Sequence, residues 1–248
     1  DTPNLDAGKV YVYLGSASGI SSTPVWTSLG DDQASAYYGI VVSAAGDVNG
    51  DGYGDIIVGA SGFNIVGVAV GKAYVYYGNS SGLGGSPAWS SSGDVQAGSE
   101  YGLVSAAGDV NGDGYSDVIV GAYNYDTANP NAGKAYVYHA ASTGLSTPPA
   151  WTSSGEYQAQ ARFCLASNAG DVNGDGYGDV IVTARYHDTT GADAGKAYVY
   201  HGSAAGLSTT PAWTSSGDDQ AGAQYGNSVA AAGDVNGDGY GDVIVGAY

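Results

Sequence analysis

Residues 46–60 read GDVNGDGYGDIIVGA, and this stretch returns with few changes at 108–122, 170–184 and 233–247. Its first aspartates stand 62, 62 and 63 residues apart, at Asp47, Asp109, Asp171 and Asp234. A fixed period of this size is typical of repeat proteins, in which each repeat is one supersecondary unit. The sequence therefore predicts four units, at about 1–63, 64–125, 126–187 and 188–248, which we interpret as one domain.

Three further landmarks keep the same spacing as the Asp-rich stretch. A lysine opens each GK(V/A)YVY segment, a tryptophan lies in each P(V/A)W(T/S)S segment, and an aromatic residue precedes each Asp-rich stretch. These positions are Lys9, Lys72, Lys134 and Lys196; Trp26, Trp89, Trp151 and Trp213; and Tyr38, Tyr101, Phe163 and Tyr225. The whole chain is therefore repeat.

Each unit contains about four short segments with the character of β-strands. The apolar runs IIVGA, VIVGA and VIVTA suit strands that are covered on both faces, and the AYVYY or AYVYH runs are rich in β-formers. Weaker strands are expected around each tryptophan and after each aromatic landmark, with Gly, Ser, Asn and Pro turns between them. Four strands per unit at this period predict an all-β protein, a β-propeller of four-stranded blades.

Composition limits the partners that the chain can have. The formal net charge is −18, with 24 acidic residues against six lysines and arginines, so nucleic acid and anionic membrane surfaces would be repelled. No apolar run approaches the roughly 20 residues that a membrane span needs, and we expect no membrane insertion. Cys164 is the single cysteine and cannot form an internal disulfide. Cations are the natural partners, and the small-residue surface with apparent metal loops suggests secretion.

The residues around each Asp-rich stretch resemble FG-GAP repeats, the blades of the integrin α-subunit β-propeller. Tyr-Gly at 38–39, 101–102 and 225–226 stands in the FG place, and Gly-Ala at 59–60, 121–122 and 246–247 stands in the GAP place. Unit three departs from the pattern, with Phe163-Cys164 and Thr183-Ala184-Arg185 at the corresponding positions. The resemblance covers all four units.

The phase of the repeat predicts three whole blades and two complementary half blades. The chain enters at the third strand of a blade and ends after the second strand of another. Pairing of the two halves would remove sheet edges that otherwise template aggregation. This pairing could close a four-bladed ring in one chain, join two chains as a homo-oligomer, or link subunits head to tail. Because the resemblance implies seven blades, the chain could also be an excerpt of a longer protein.

Each Asp-rich stretch has the pattern D-x-N-x-D-G-x-x-D. Oxygen ligands at alternate positions, a glycine that allows a sharp turn, a backbone carbonyl and a closing carboxylate can enclose Ca²⁺, whereas Mg²⁺ prefers a tighter octahedron. We therefore predict about four bound Ca²⁺ ions, one in each unit. The predicted ligands are Asp47, Asn49, Asp51, Tyr53 and Asp55; Asp109, Asn111, Asp113, Tyr115 and Asp117; Asp171, Asn173, Asp175, Tyr177 and Asp179; and Asp234, Asn236, Asp238, Tyr240 and Asp242, the tyrosines through their carbonyls.

Two other interpretations of these loops compete with the calcium site. An EF-hand needs a glutamate at position twelve, where these loops have valine inside a predicted strand. The Asp and Asn residues could instead make Asx turns without metal. Three carboxylates within nine residues repel each other by roughly a few kcal/mol per close pair, and a turn alone does not require that cost.

The remaining candidates are weaker. The four tryptophans could form stacking platforms for sugars, but packing between blades is the simpler expectation. The four landmark lysines are expected to pair with neighbouring acids, and Cys164, in place of a glycine, is expected to be a buried inert thiol. His139, His187 and His201 show no zinc spacing, and no nucleophile with a base is visible.

The sequence therefore predicts a calcium-stabilised extracellular β-propeller that is not an enzyme and has no catalytic residues. We expect a structural or adhesive interaction module that binds protein or glycan at the cell surface and self-assembles through its half blades. A carbohydrate-binding lectin is the first alternative, and a hydrolase with an unrecognised site is the second.

Overall fold

The computed structural model describes residues 4–248, and every regular element in this range is a β-strand or an isolated bridge. In chain order the strands of the first two units are β1 Val10–Val12, β2 Gly15–Ser16, β3 Gly19–Ile20, β4 Trp26–Ser28, β5 Tyr38–Gly46, β6 Asp55–Ala60, β7 Asn64–Ile65, β8 Val68–Ala69, β9 Lys72–Tyr76, β10 Gly78–Asn79, β11 Gly82–Leu83, β12 Trp89–Ser91, β13 Tyr101–Gly108 and β14 Asp117–Ala122. Those of the last two units are β15 Lys134–Tyr138, β16 Trp151–Ser153, β17 Phe163–Gly170, β18 Asp179–Ala184, β19 Lys196–Tyr200, β20 Trp213–Ser215, β21 Ser228–Gly233 and β22 Asp242–Gly246.

The strands form three whole blades and two half blades, which confirms the predicted propeller architecture. Blade one is β5-β6-β9-β12, blade two is β13-β14-β15-β16, and blade three is β17-β18-β19-β20, all antiparallel. The first half blade is the pair β1-β4, and the last half blade is the pair β21-β22. Each blade thus takes its first two strands from one unit and its last two from the next.

The second strand of each blade is buried on both faces. All six residues of β14 and of β18 are buried, which explains why these runs are continuously apolar and do not alternate with polar residues. The first strand is irregular at both ends, since the β13–β14 register shifts beside Gly102 and again before Gly108. Both glycines have positive φ, which a larger residue at a bulge would adopt less readily.

Neighbouring blades approach each other closely at the glycine of the Gly-Ala motif. A Cβ atom added to Gly59 would lie 1.9 Å from the carbonyl oxygen of Gly102 in blade two, and one added to Gly121 would lie 2.0 Å from that of Cys164 in blade three. Unit three has Thr183 at this position, and its hydroxyl instead donates a 2.7 Å hydrogen bond to Gly226 O. The last half blade is therefore packed differently from the whole blades.

Three of the four tryptophans pack between blades, as the sequence predicts. The rings of Trp26, Trp89 and Trp151 stand edge-on to tyrosines of the following blade, with centroids 4.9, 4.8 and 5.0 Å apart. Trp89 and Trp151 are 9% and 7% exposed, whereas Trp213, which no complete blade follows in the structure, is 43% exposed. Three of the four tryptophan rings that were candidates for stacking on sugars are thus covered by the next blade.

The two half blades remain separate two-stranded sheets in residues 4–248, so β1 and β22 each have one free edge. Large apolar side chains are exposed on both, among them Tyr11, Tyr13 and Ile244. Within the same range no helix offers the length and apolarity that a membrane crossing requires.

The close approach of the blades predicts that Gly59→Ala is destabilising. The added methyl group must displace the backbone of blade two, and overpacking of this kind costs about 1–3 kcal/mol. Gly85→Ala is the matched control, because a Cβ there has no heavy atom within 4 Å. Urea unfolding in calcium should show the loss for Gly59→Ala alone. Equal stability of the two variants would contradict the packing described here.

Candidate metal centres

The four Asp-rich loops connect the first and second strands of each blade and of the last half blade. In blade one the ladder pairs Gly46 with Asp55, so the loop residues between them form a tight excursion at one end of the hairpin. The same pairing occurs between Gly108 and Asp117 and at the two later hairpins. The structure therefore places all predicted ligands at one end of the first strands.

Backbone amides hold the first aspartate of each loop in place. The Asp47 carboxylate accepts hydrogen bonds from the amides of Gly50, Asp51 and Gly52 at 2.7, 3.1 and 2.9 Å. Asp109, Asp171 and Asp234 accept the same three bonds at nearly the same distances. The carboxylate is thus fixed by the loop that it begins, with lone pairs remaining for a cation.

The middle of each loop is also ordered by its own side chains. Asn49 accepts a bond from the amide of Asp51 at 3.1 Å and donates its amide hydrogen to the Asp51 carboxylate at 3.0 Å, while the amide of Tyr53 donates to Asp51 at 2.9 Å. The other three loops repeat these bonds. These are the Asx-turn bonds that the alternative interpretation expects, and they leave room for metal on the same oxygens.

The closing aspartate has a role that the pattern did not predict. Asp55 is buried and accepts hydrogen bonds from the amide of Val48 in its loop at 2.8 Å and from that of Gly78, just after the third strand, at 2.7 Å. Asp117 and Asp179 make the equivalent pairs of bonds in blades two and three. Asp242 accepts only the loop bond, from Val235, because the last half blade has no third strand.

Consecutive loops contact each other and form a band across the blades. The amide of Ser116 donates a 2.9 Å hydrogen bond to Asp47 O, and Gly178 and Gly241 repeat the bond at 2.7 Å to Asp109 and Asp171. The Tyr115 ring lies over Gly50, where an added Cβ atom would be 2.5 Å from it. A substitution in one loop therefore alters its contacts with the loop of the neighbouring blade.

The carboxylates of the Asp-rich loops lie in an electrostatically unfavourable environment. Burial raises the pKa of Asp117 to about 7, against two backbone hydrogen bonds that lower it, and the charges of Asp113 and Asp109 raise it further. Burial likewise raises the pKa of Asp55 and of Asp179. A divalent cation would stabilise the charged form of these carboxylates, since an opposite charge nearby lowers a carboxyl pKa.

The donor set fits calcium better than softer metals. Each loop offers three carboxylates and one amide, all of them oxygen ligands, and no nitrogen or sulfur ligand from a histidine or cysteine belongs to the pattern. In residues 4–248 no three His, Cys, Asp or Glu side chains converge closely enough to hold an ion by themselves. The Asn amides and the tyrosine carbonyls would have to complete the coordination, so the calcium sites stay a prediction.

A family model described as FG-GAP repeat matches residues 38–76, 101–138, 166–200 and 225–248, which is more than half of the chain. The chain belongs to the FG-GAP repeat family. Each match includes an Asp-rich loop and the strand that follows it. In the third FG-GAP repeat the match begins only at residue 166, after the divergent Phe163-Cys164 pair.

Integrin α subunits are among the relatives of this FG-GAP chain. It is 34% identical to integrin alpha-6 of Gallus gallus over 155 residues, which is 60% of this chain and 13% of that protein. It is 35% identical to integrin alpha-PS2 of Drosophila melanogaster over 165 residues, or 62% of this chain and 12% of that protein. The chain thus spans about an eighth of the curated relatives it matches.

A solved structure supports the fold of the FG-GAP repeats. Rhamnogalacturonan lyase YesW superposes with a TM-score of 0.50 over 95% of this chain and 42% of that chain, at 18% sequence identity. At this identity the likeness concerns the fold alone.

The structure also places the other candidates of the sequence analysis. Lys72 and Lys134 pair with Asp31 and Asp94 at 2.7 and 2.6 Å, and Lys196 pairs with Glu156. The acids belong to the preceding blade or half blade, so these pairs cross between blades. Cys164 is buried, and burial raises the pKa of its thiol to about 12, in keeping with an inert role.

Removal of calcium is expected to lower the melting temperature markedly. A site at about 100 times its dissociation constant adds roughly 2.7 kcal/mol, and about 2–4 °C of melting temperature accompanies each kcal/mol in a chain of this size. Asp113→Asn should therefore lower the melting temperature by about 5–10 °C in calcium but little in EGTA. Asp193→Asn removes the same charge outside the loops and is the control. A wild-type melt unchanged by EGTA would refute metal binding.

The raised pKa of Asp117 predicts an unusual pH dependence for the metal-free protein. The folded state binds a proton as pH falls through about 7, whereas the unfolded state binds it only near pH 4, so acidification stabilises the fold. Between pH 7.5 and 5.5 the gain should be about 2 kcal/mol for this one group. Calcium-loaded protein should show the opposite slope, since protons compete with the ion. Urea unfolding at the two pH values measures both slopes, and a flat metal-free profile would contradict the assignment.

Proposed function

We propose that this chain is a calcium-stabilised extracellular interaction module that assembles with a second copy of itself through its half blades. The observation that carries the proposal is a set of contacts between blades that the structure repeats three times and leaves unmade at both ends. The calcium part rests on the loop geometry described above. The adhesive character rests on the kinship with integrin α subunits.

The repeated contacts join the fourth strand of one blade to the third strand of the next. Between the first half blade and blade one, Trp26 packs on Tyr76, Ser28 shares a 3.1 Å hydrogen bond with the Tyr76 hydroxyl, and Asp31 pairs with Lys72. Blades one and two, and blades two and three, repeat the ring contact, the hydroxyl bond and the ion pair. The residues that form the interface between blades are thus part of each repeat.

The same residue types are present, without partners from that set, at the two ends. Trp213, Ser215 and Asp218 stand on blade three at the repeat positions of Trp26, Ser28 and Asp31. Lys9 and Tyr13 flank β1 at the repeat positions of Lys72 and Tyr76. Tyr13 is 46% exposed, whereas Tyr76, Tyr138 and Tyr200 are each 1% exposed. A composite blade made of β21, β22, β1 and β4 would bring these two groups together.

The free edges of the half blades match as well. Ile244 in the middle of β22 is 61% exposed, while its repeat equivalents Ile57, Ile119 and Ile181 are fully buried. Pairing of β22 with β1 in the register of β6 with β9 would cover it. We assign the complementary half to a second copy, because every copy of the chain carries both groups of side chains. Two chains would then supply 2 × 3 whole blades and two composite blades, which makes an eight-bladed ring.

The remaining parts of the proposal concern location and partners. Calcium sites of extracellular modules bind in the range of about 10⁻⁴–10⁻³ M, which suits loops of this exposed kind. We propose a non-enzymatic role with a protein or glycan partner at the cell surface. A lectin built on the tryptophans has less support, because Trp26, Trp89 and Trp151 are engaged in blade packing.

The assembly is tested by measuring mass in solution. In calcium, light scattering should give twice the chain mass of 24.6 kDa. Ile244→Asp places a charge in the composite blade and should give a monomer, whereas Val66→Asp, at a hairpin tip that is 98% exposed, should leave the dimer intact. A monomeric wild-type chain, whether open or closed on itself, would refute assembly with a second copy, as would a dimer that Ile244→Asp does not weaken.

A further inference from the structure

A central cavity lies at the end of the first strands opposite to the Asp-rich loops. It has a volume of about 460 Å³, and Ile40, Leu103, Leu165 and Asn227 line it from the four units in turn. These residues lie at or near the starts of the first strands, while the loops follow their ends. The volume is that of a site for a small molecule.

Both arginines of the chain lie in this cavity. Arg162 and Arg185 each donate a hydrogen bond to the Tyr123 hydroxyl, and Arg185 also donates to Asn227 Oδ1 at 3.0 Å. The Tyr123 ring lies 4.3 and 5.0 Å from the two guanidinium carbons, and Tyr186 lies 5.0 and 4.9 Å from them. Two guanidinium groups are therefore held side by side by two aromatic rings.

Neither arginine has an acidic partner in residues 4–248. The ion pairs found in this range use Lys72, Lys134 and Lys196, although the chain carries 24 acidic residues. The Arg185 Nε atom is buried and has no hydrogen-bond partner. A buried donor left unsatisfied in this way costs free energy, and neither guanidinium charge is neutralised by an acid of the described residues.

The cavity is built from positions at which the units differ. The first set of positions directly precedes the aromatic landmarks and has positive φ; its members are Tyr37, Glu100, Arg162 and Gln224. The second set directly follows the Gly-Ala or Thr-Ala pair of each unit; its members are Ser61, Tyr123, Arg185 and Tyr248. Six of these eight line the cavity. The scaffold repeats, while the side chains that it presents at its centre do not, which is the arrangement of a binding site on a rigid frame.

We propose that this cavity binds a small organic carboxylate, with a body the size of a sugar ring or an amino acid. Arginine pairs bind carboxylates through parallel N–H bonds, and the tyrosine and leucine walls suit a compact organic body. Two arginines and Glu100 give the lining a formal charge of 2 − 1 = +1, which matches a monoanion better than a dianionic phosphate. This inference does not rest on calcium binding.

The test titrates calcium-loaded protein with glucuronate and follows the side-chain Nε–H signals of the two arginines by NMR. Glucose serves as the neutral match and inorganic phosphate as the dianionic one. Glucuronate should shift the Arg185 signal at millimolar concentration, glucose should leave it unchanged, and phosphate should bind more weakly. Arg185→Gln should weaken glucuronate binding about tenfold or more, the usual effect of losing a charged hydrogen bond.

Two further variants keep the test decisive. Arg162→Lys retains the charge but not the fork of donors and should also weaken binding, measured by calorimetry if its NMR signal is lost. Lys134→Gln removes one positive charge outside the cavity and should bind glucuronate as the wild type does. No shift with glucuronate, an equal response to glucose, tighter binding of phosphate, or full affinity in Arg185→Gln would each overturn the proposal.

Discussion

The fold depends on a buried carboxylate at the junction of three strands in each blade. Asp55, Asp117 and Asp179 are almost fully buried, and each accepts one amide hydrogen from its own loop and one from the chain just beyond the third strand. A charge in this position is costly unless it is compensated. The two amide hydrogen bonds compensate part of that cost and join the Asp-rich loop to the third strand. The calcium ions that we predict in these loops would compensate the rest, which would link metal binding to the stability of each blade.

The second constraint is the close approach of successive blades. At Gly59 and Gly121 the backbones of neighbouring blades are in contact. The backbone amides of Ser116, Gly178 and Gly241 also donate hydrogen bonds to the preceding Asp-rich loop. Because every contact of this kind links one unit to its successor, the molecule is a chain of similar interfaces, of which the last is changed by Thr183. In residues 4–248 blade three and the first half blade also carry the side chains of one further interface of this kind.

Much of this structure could be predicted from the sequence, because features that all four units share recur in it at a fixed spacing. The period gave the blades, the phase gave the half blades, and the alternate oxygen residues indicated the loops. The amide partners of Asp55 could not be predicted, since Gly78 lies 23 residues away and its register depends on the third strand. Arg162 and Arg185 were also missed. They lie in the unit that departs from the pattern, and their meeting at Tyr123 depends on how the second and third units pack in space.

The placement of charge along the first strands has a consequence for how ligands arrive. The loops put twelve carboxylates at one end of these strands, three in each of four copies, and both arginines stand at the other end. The arginine end also carries acidic side chains, and Asp31, Asp94 and Glu156 there are paired with lysines. An anion is therefore repelled by the loops over roughly a Debye length and meets the attraction of the two arginines only at short range, so repulsion from the loops selects the side from which it approaches.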